Sequence, residues 1–411
     1  MTASPRSLDA DNSCADASDQ AIDVIFIAHD IGGSGGMERQ SSQLIHDLVG
    51  AGVRLLVLAR TCELDEDVTV RLLKIRTPPR PFLVAYPAFA LMASWEVWKL
   101  RRRWPQAVVH STGALLLTYS HVVSVHYCHA APGARASRRG FGKTWLHRCY
   151  AALAAWMSRA GERFAYTPRR SGMLCAVSKG LERELRHAFP RMADLIKTIP
   201  NGVDTERFRP DQESRASSRR RFGIPEDPLL AVFVGGDWLR KGLPLLIGAL
   251  KAAPDWSLAI AGAGDTTVFA GSPSSDRIHF LGRVLEPEAV YAMADAFVLP
   301  SLYETFSLVT FEAAAAGLPL LVTRVNGPDE LIVDGANGWF ITPDARDIAR
   351  RLNQLASAPA LRERMGRNAR QSAMAFPWSS VSKGYLETYA RFGVPDRRPV
   401  TTITAPLPPS R

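Results

Sequence analysis

Two doubly wound α/β domains in tandem are the fold this chain predicts, on three observations. Residues 21–59 read as strand, glycine-rich turn, helix and strand, the opening unit of a parallel sheet covered on both faces. A second alternation of strands and helices begins at residue 229. Between them, residues 201–228 are polar, proline-punctuated and without hydrophobic period, as a connection between domains would be. A length of 411 residues is long for one hydrophobic core and comfortable for two.

Residues 21–28 (AIDVIFIA) form an apolar run too short for a helix and rich in β-branched side chains, which marks a buried parallel strand. The cluster Gly32-Gly33-Ser34-Gly35-Gly36 follows. Leu44, Ile45, Leu48 and Val49 then recur at helical spacing until Gly50 and Gly52 stop the helix. Residues 53–59 (VRLLVLA) give the next strand, and Val108-Val109, residues 122–125 and residues 173–177 give later ones. Residues 145–157 read as an apolar-faced helix with basic flanks and residues 179–188 as another, and residues 196–200 close the domain. In the second half, LLAVFVGG, SLAIAGAG, RIHFLG, AFVLPS and PLLVT are strands alternating with the helices LPLLIGALKAA, PEAVYAMA, SLVTFEAAAAG and IARRLNQLA. A last helix near residues 379–391 carries Tyr385, Leu386 and Tyr389, which suit it to pack back on the first domain. The expected division is 21–205 and 225–377 for the domains, 206–224 for the linker and 378–393 for the returning helix. Residues 1–20 and 394–411 are expected to be disordered tails.

Composition narrows the class. With 46% hydrophobic and 22% charged residues, wholesale disorder is excluded. The first twenty residues are small, polar and acid-rich, with neither the basic start nor the apolar stretch of a signal peptide. No segment reaches the roughly 18 uninterrupted apolar residues of a membrane span; the nearest, residues 82–98, contains Pro87 and Glu96. Five scattered cysteines without a C-x-x-C pair fit reduced thiols in a cytoplasmic protein. The formal charge of +10 is uneven: between residues 131 and 170 nine basic residues, among them Arg138, Arg139, Lys143, Arg148 and Arg163, face only Glu162. Upstream, Trp95, Trp98 and Trp104 stand among Lys99, Arg101, Arg102 and Arg103. Cations with interleaved indoles suit the anionic inner face of a membrane, with a solvated helix face as the plain alternative. No nucleic-acid reading motif accompanies the charge, so no nucleic-acid partner is expected.

The stretch richest in chemistry is residues 300–312 (PSLYETFSLVTFE), a loop that follows an apolar strand and opens an alanine-rich helix ended by Gly317. Open α/β sheets bind ligands just beyond the carboxyl ends of their strands, and a helix N-terminus offers free N–H donors to a diphosphate. Glu304 in the loop and Glu312 two turns into the helix would repel phosphate unless they hold sugar hydroxyls, which argues for polyol recognition. The E-x7-E pair, within PSLYETFSLVTFEAAAAGLPLLVT and the later NGPDELI, closely resembles the donor-site signature of family 4 retaining glycosyltransferases. That family has the GT-B fold, two Rossmann-like α/β domains facing across a cleft. The resemblance implies that Glu304 contacts the transferred sugar and Glu312 the ribose. It likewise implies that the main-chain N–H groups of Phe306, Ser307, Leu308 and Val309 meet the sugar and phosphates.

Three further segments fit the same family in the same order. Residues 30–40 (DIGGSGGMERQ) resemble its G-G-x-E-R loop, in which Gly35 and Gly36 let the backbone approach the donor phosphates. As a dinucleotide fingerprint this loop fails, because Glu38 stands where the last glycine is required. Residues 176–179 and 199–204 look like its A-V-S and P-N-G-V-D elements. Residues 233–243 (FVGGDWLRKGL) resemble its phosphate loop, with Lys241 the expected diphosphate partner. Where many members carry arginine after the first glycine this chain has Gly236, so Arg240 is the candidate substitute, and Asp237 is expected to point away.

His126 falls where the family has a cleft histidine, suited to a donor hydroxyl or to orienting the acceptor; a core histidine is its plain alternative, and His129 reads as core. His126, Cys128 and His129 cannot alone enclose a tetrahedral ion, so no metal is expected. Gly262 and Arg283, after two strands of the second domain, are candidates for base recognition. The implied reaction moves a hexose-type sugar, with retention, from a UDP- or GDP-sugar to a glycan, lipid-linked or small-molecule acceptor. Glu304, His126 and Lys241 would be catalytic, and no cofactor beyond the nucleotide-sugar co-substrate is implied. The rival readings are a sugar-nucleotide epimerase on the same scaffold, a dinucleotide-dependent oxidoreductase, and a non-catalytic sugar- or lipid-binding protein.

Overall fold

The computed structural model describes residues 21–33, 35–64, 68, 70–136, 145–269 and 274–395. Residues 1–20 and 396–411 of the expected tails, and Arg138, Arg139 and Lys143 of the basic segment, lie outside the described residues.

Through the first half run strands β1 (Val24–Ile27), β2 (Asp30–Ile31), β3 (Leu55–Ala59), β4 (Thr61–Cys62), β5 (Arg71–Lys74), β6 (Val108–Thr112), β7 (Ser120–Val125), β8 (Ser171–Ala176) and β9 (Ile196–Thr198). β2 pairs with β4, and the other seven form one parallel sheet in the order β5-β3-β1-β6-β7-β8-β9. Among the described residues, this half holds the helices α1 (Gly36–Gly50), α2 (Phe82–Arg103), α3 (Pro132–Ala136), α4 (Trp145–Ala165) and α5 (Lys179–Ala188). Alternation along the strands builds a core on each face of the sheet. Val24, Phe26 and Val57 pack with Leu44, Ile45 and Leu48 of α1, whereas Ile25, Ile27 and Leu58 pack with Phe89, Ala93 and Val97 of α2.

The second half contributes β10 (Leu229–Val234), β11 (Trp256–Ala261), β12 (Ile278–Gly282), β13 (Ala296–Leu299), β14 (Leu320–Thr323) and β15 (Gly338–Ile341). They form a parallel sheet ordered β12-β11-β10-β13-β14-β15. Around it lie α6 (Gln212–Arg221), α7 (Leu243–Ala249), α8 (Pro287–Ala292), α9 (Leu308–Ala315), α10 (Pro328–Leu331), α11 (Ala345–Ser357), α12 (Pro359–Ala373) and α13 (Trp378–Ala390). Each sheet winds outward in both directions from a central pair, β1 and β6 in one, β10 and β13 in the other. The crevice beyond the carboxyl ends of such a pair is where doubly wound sheets take ligands.

Two features tie the halves together. Helix α13 returns to the first domain, where Tyr385 and Tyr389 are buried in the α1-side core. There, Tyr389 Oη and His110 Nδ1 lie 2.5 Å apart, and Tyr385 Oη and Ser124 Oγ 2.7 Å apart. The segment expected to be the linker, 206–224, is partly helical, since α6 occupies most of its second part and packs on α8. Its anchor is polar: Arg219, 1% exposed, donates to the carbonyls of Met293, Pro225, Glu226 and Pro228 and pairs with Asp295 at 3.0 Å. A helix fixed by a buried guanidinium needs no apolar stripe, and so shows no hydrophobic period.

Candidate functional site

The two central loops of the second sheet meet in space. After β10 the chain turns through Gly235 and Gly236 and reaches Lys241 before α7. After β13 it runs through Ser301 and Glu304 into α9. The loops are bound together by Leu302 N donating to Arg240 O at 2.9 Å and by an Arg240 guanidinium N–H donating to Tyr303 O at 2.6 Å. Gly235 has φ of +140°, and a Cβ there would stand 2.7 Å from Lys241 Cε, so only glycine lets the lysine lie across the turn.

Lys241 Nζ donates to Glu304 Oε1 at 3.1 Å, and Ser301 Oγ donates to the same oxygen at 2.9 Å. Burial opposes ionisation of Glu304, but Lys241 and Arg240 outweigh it and hold the carboxyl below its ordinary range. Three residues on, Ser307 adopts φ of +65°, a left-handed conformation that costs a non-glycine residue roughly 1–2 kcal/mol. This strained turn delivers the chain into α9, whose first residues, Leu308 and Val309, line the same crevice. Glu312, further along α9, accepts from Tyr291 Oη at 2.8 Å and pairs with Arg39 of α1 at 3.3 Å, a contact that crosses between the domains.

Facing this wall are the amino end of α1 and the carboxyl end of β7. Together they enclose a cleft of about 1380 Å³ that borders both domains. Gly35, Gly36, His126, Arg240, Lys241, Gly262, Arg283, Glu304, Phe306, Ser307, Leu308, Val309 and Glu312 all line it. The repulsion expected between two carboxylates and a phosphate is met locally, since each acid has its own cation. Asp237, expected to point away, stays on the cleft lining, with its charge taken up by Arg240 Nε at 2.7 Å. His129, read from the sequence as a core residue, is half-buried and also lines the cleft.

His126 is 9% exposed, and its Nε2 is buried without a hydrogen-bond partner among the described residues. An orphaned buried imidazole nitrogen is uncommon and leaves His126 with unused hydrogen-bonding capacity. It also lines a side pocket of about 340 Å³ in the first domain, bordered by Glu38, Phe82, Tyr86 and Glu162 and joined to the main cleft through Met37, Tyr127 and His129. The lining residues Tyr303 and Thr305 are held from the first domain: Tyr303 Oη donates to Glu184 at 2.7 Å, Asn326 Nδ2 donates to the same carboxylate at 3.0 Å, and Ser178 Oγ donates to Thr305 O at 2.6 Å. Arg39, Tyr291, Ser301 and Glu184 therefore join the residues that sequence reasoning assigned. Arg39 had a signal, being the arginine of G-G-x-E-R, and Ser301 stands within PSLYETFSLVTFE; Tyr291 and Glu184 had none.

Burial also makes the first domain acid-sensitive. His126 and His121 are pushed down from 6.5 to about 4 and His110 to about 3, chiefly by desolvation. In an unfolded chain these imidazoles titrate near 6.5, so between about pH 6.5 and 4 the unfolded state binds more protons. Stability must therefore rise with pH through that window and fall as acid is added. Thermal melts in a pH series are expected to show a melting temperature dropping steadily below about pH 6.5. A level melting temperature down to pH 4 would contradict the burial of these rings.

The chain matches the family model for Glycosyltransferase Family 4 over residues 34–207 and that for Glycosyl transferases group 1 over residues 214–372. It belongs to the family 4 glycosyltransferases and has their GT-B fold. Among its relatives, a glycogen synthase of Mycobacterium tuberculosis is 28% identical over 407 residues, spanning 89% of this chain and 93% of the relative. An uncharacterized glycosyltransferase of Methanocaldococcus jannaschii is 30% identical over 233 residues, 53% of this chain and 60% of that protein's length. Among solved structures, WaaG, a glycosyltransferase involved in lipopolysaccharide biosynthesis, superposes with a TM-score of 0.72 at 21% identity, covering 89% of this chain and 98% of WaaG.

Proposed function

We propose that this glycosyltransferase moves a hexose-type sugar from a UDP- or GDP-sugar, with retention of anomeric configuration, onto a hydroxyl of a glycan or lipid-linked acceptor. One observation carries the reading. The Lys241–Glu304 pair and the strained turn into α9, at the centre of one sheet, line a single cleft with His126 of the other domain, whose Nε2 has no hydrogen-bond partner among the described residues.

The barrier to transfer is charge separation between an oxocarbenium-like sugar and a departing nucleoside diphosphate. Lys241, Arg240 and the first N–H groups of α9 would stabilise the leaving phosphate, and they are already fixed in position before any ligand arrives. Positive charge thus comes from side chains and main chain, and no metal or further cofactor is invoked. Glu304 would hold hydroxyls of the transferred sugar, and Glu312 those of the ribose once Arg39 yields its place. His126, neutral at physiological pH, would sit where the side pocket opens into the cleft and orient the acceptor hydroxyl. Closure of the domains would keep water from competing with that hydroxyl.

Thermal melts with a panel of UDP-, GDP- and ADP-sugars test the donor assignment. One UDP- or GDP-sugar is expected to stabilise the fold, by about 2.7 kcal/mol at a hundredfold excess over its Kd. A panel in which no nucleotide sugar raises the melting temperature would sink the reading.

A further inference from the structure

Helices α2 and α4 lie side by side, packed through Tyr86 against Gly161 and by Tyr150 Oη accepting from the Phe82 N–H at 2.9 Å. Both turn apolar stripes away from the protein. On α2 the inward face is Ala85, Phe89, Ala93 and Val97, and the opposite face exposes Val84, Leu91, Trp95 and Trp98. On α4, Trp145, Leu146, Tyr150, Leu153 and Trp156 recur as an amphipathic stripe, yet Trp145 is 73% and Trp156 61% exposed. A stripe of that kind ordinarily faces a core.

Tryptophan placement sharpens the contrast. Trp238, Trp256 and Trp339 of the second domain are buried, whereas the exposed tryptophans among the described residues are Trp95, Trp98, Trp145 and Trp156, all on these two helices. Four indoles so exposed present on the order of 400–500 Å² by themselves, as much as the largest apolar patch of an ordinary monomer. Around them the charge is mostly positive. Lys99, Arg101, Arg102 and Arg103 close α2, and Arg148, Arg159 and Arg163 lie along α4. The Arg102 guanidinium lies 3.6 Å from the Trp98 ring centre and that of Arg170 3.7 Å from the Phe164 ring centre. Of the acids nearby, Glu96 is paired with Lys99, and Glu162 turns inward to accept the main-chain N–H groups of His129 and Ala130.

We infer that this face docks on an anionic phospholipid bilayer, with the indoles and leucines at the headgroup–acyl boundary and the arginines against phosphate. Like charge argues against a second copy of the chain, because two such faces brought together would oppose their arginines. The position adds a reason. Phe82 and Tyr86 of α2 and Ser158 and Glu162 of α4 line the side pocket that opens beside His126. The two helices that would meet the bilayer with their outer faces therefore wall the pocket assigned to the acceptor with their inner ones. Resting on the function proposed above, this makes the acceptor a lipid-linked hydroxyl presented from the membrane rather than a soluble sugar.

Co-sedimentation of the full chain with vesicles tests it. Binding to phosphatidylcholine vesicles containing phosphatidylglycerol is expected to exceed binding to phosphatidylcholine alone by at least about tenfold, with a blue shift of tryptophan emission. The double variant Trp95→Ser, Trp156→Ser is expected to lose about tenfold in vesicle affinity while keeping the thermal stabilisation given by the nucleotide sugar. Absence of vesicle binding by the parent chain, or equal binding by the variant, overturns the inference. So does a dimer in sedimentation velocity that the variant dissociates. The donor melts report separately, so vesicle binding without donor stabilisation would sink the proposed transfer and leave the docking face standing.

Discussion

Glu304→Gln is expected to lower kcat by about 10²–10³-fold, with the fold intact and nucleotide affinity unchanged or improved. The carboxylate is 8% exposed and already ionised by its neighbours, so it offers the sugar hydroxyls a full charge in a largely buried position. Glutamine keeps the shape and can still accept from Lys241 and Ser301, but its neutral oxygen holds hydroxyls less strongly as positive charge develops on the sugar. Lys241, no longer neutralised at 3.1 Å, becomes freer to pair with a diphosphate, which is why nucleoside diphosphate binding should not suffer. Turnover measured beside calorimetric titration with the nucleotide separates the two effects. Near-normal turnover would remove Glu304 from the mechanism. Parallel collapse of turnover and nucleotide binding would mean that the pair only props the loop.

The legibility of this fold in sequence follows from what each element buries. β1, β10 and β13 lie at the centre of their sheets, covered on both faces, and such strands must be continuous apolar runs, which is how VIFI, LLAVFV and AFVL read. Two of the edge strands gave no such signal. β5 (RLLK) alternates half-buried with exposed residues over four positions, and β15 begins at Gly338. α6 escaped because a buried arginine and Asp295 hold it rather than a hydrophobic stripe.

The site divides along the same line. Main-chain features at switch-point loops leave marks, because glycine is demanded at Gly235 and a helix start at Ser307, and both stand within recognisable motifs. Partners supplied by side chains far apart in sequence leave none. Tyr291 sits in PEAVYAMA, where an aromatic reads as core, and only its hydroxyl 2.8 Å from Glu312 reveals the second use. Glu184 looks like any helix-surface acid until Tyr303 and Asn326 of the other domain converge on it.

Lys241→Met is expected to weaken donor binding about 10–100-fold, the loss of one charge-assisted contact to phosphate of about 1.5–3 kcal/mol. Methionine preserves the length and packing of the aliphatic stem, which lies against Gly235, so the loop has no reason to collapse. A second consequence separates this role from mere bulk. Glu304 is buried, and its carboxyl stays below the ordinary range because Lys241 and Arg240 overcome desolvation. With the lysine gone Arg240, at 3.6 Å, and the Ser301 hydroxyl remain, and desolvation regains ground, so the carboxyl must shift upward. Protonated Glu304 cannot hold sugar hydroxyls as a charged acceptor. The acid limb of the pH–kcat profile should therefore move to higher pH in the variant, with activity that is recovered on raising the pH. KM for the donor and the pH profile are both measurable at saturating acceptor. A variant with unchanged donor KM would refute the phosphate contact. One with weakened binding and an unmoved acid limb would place Lys241 on the diphosphate but free Glu304 from its control.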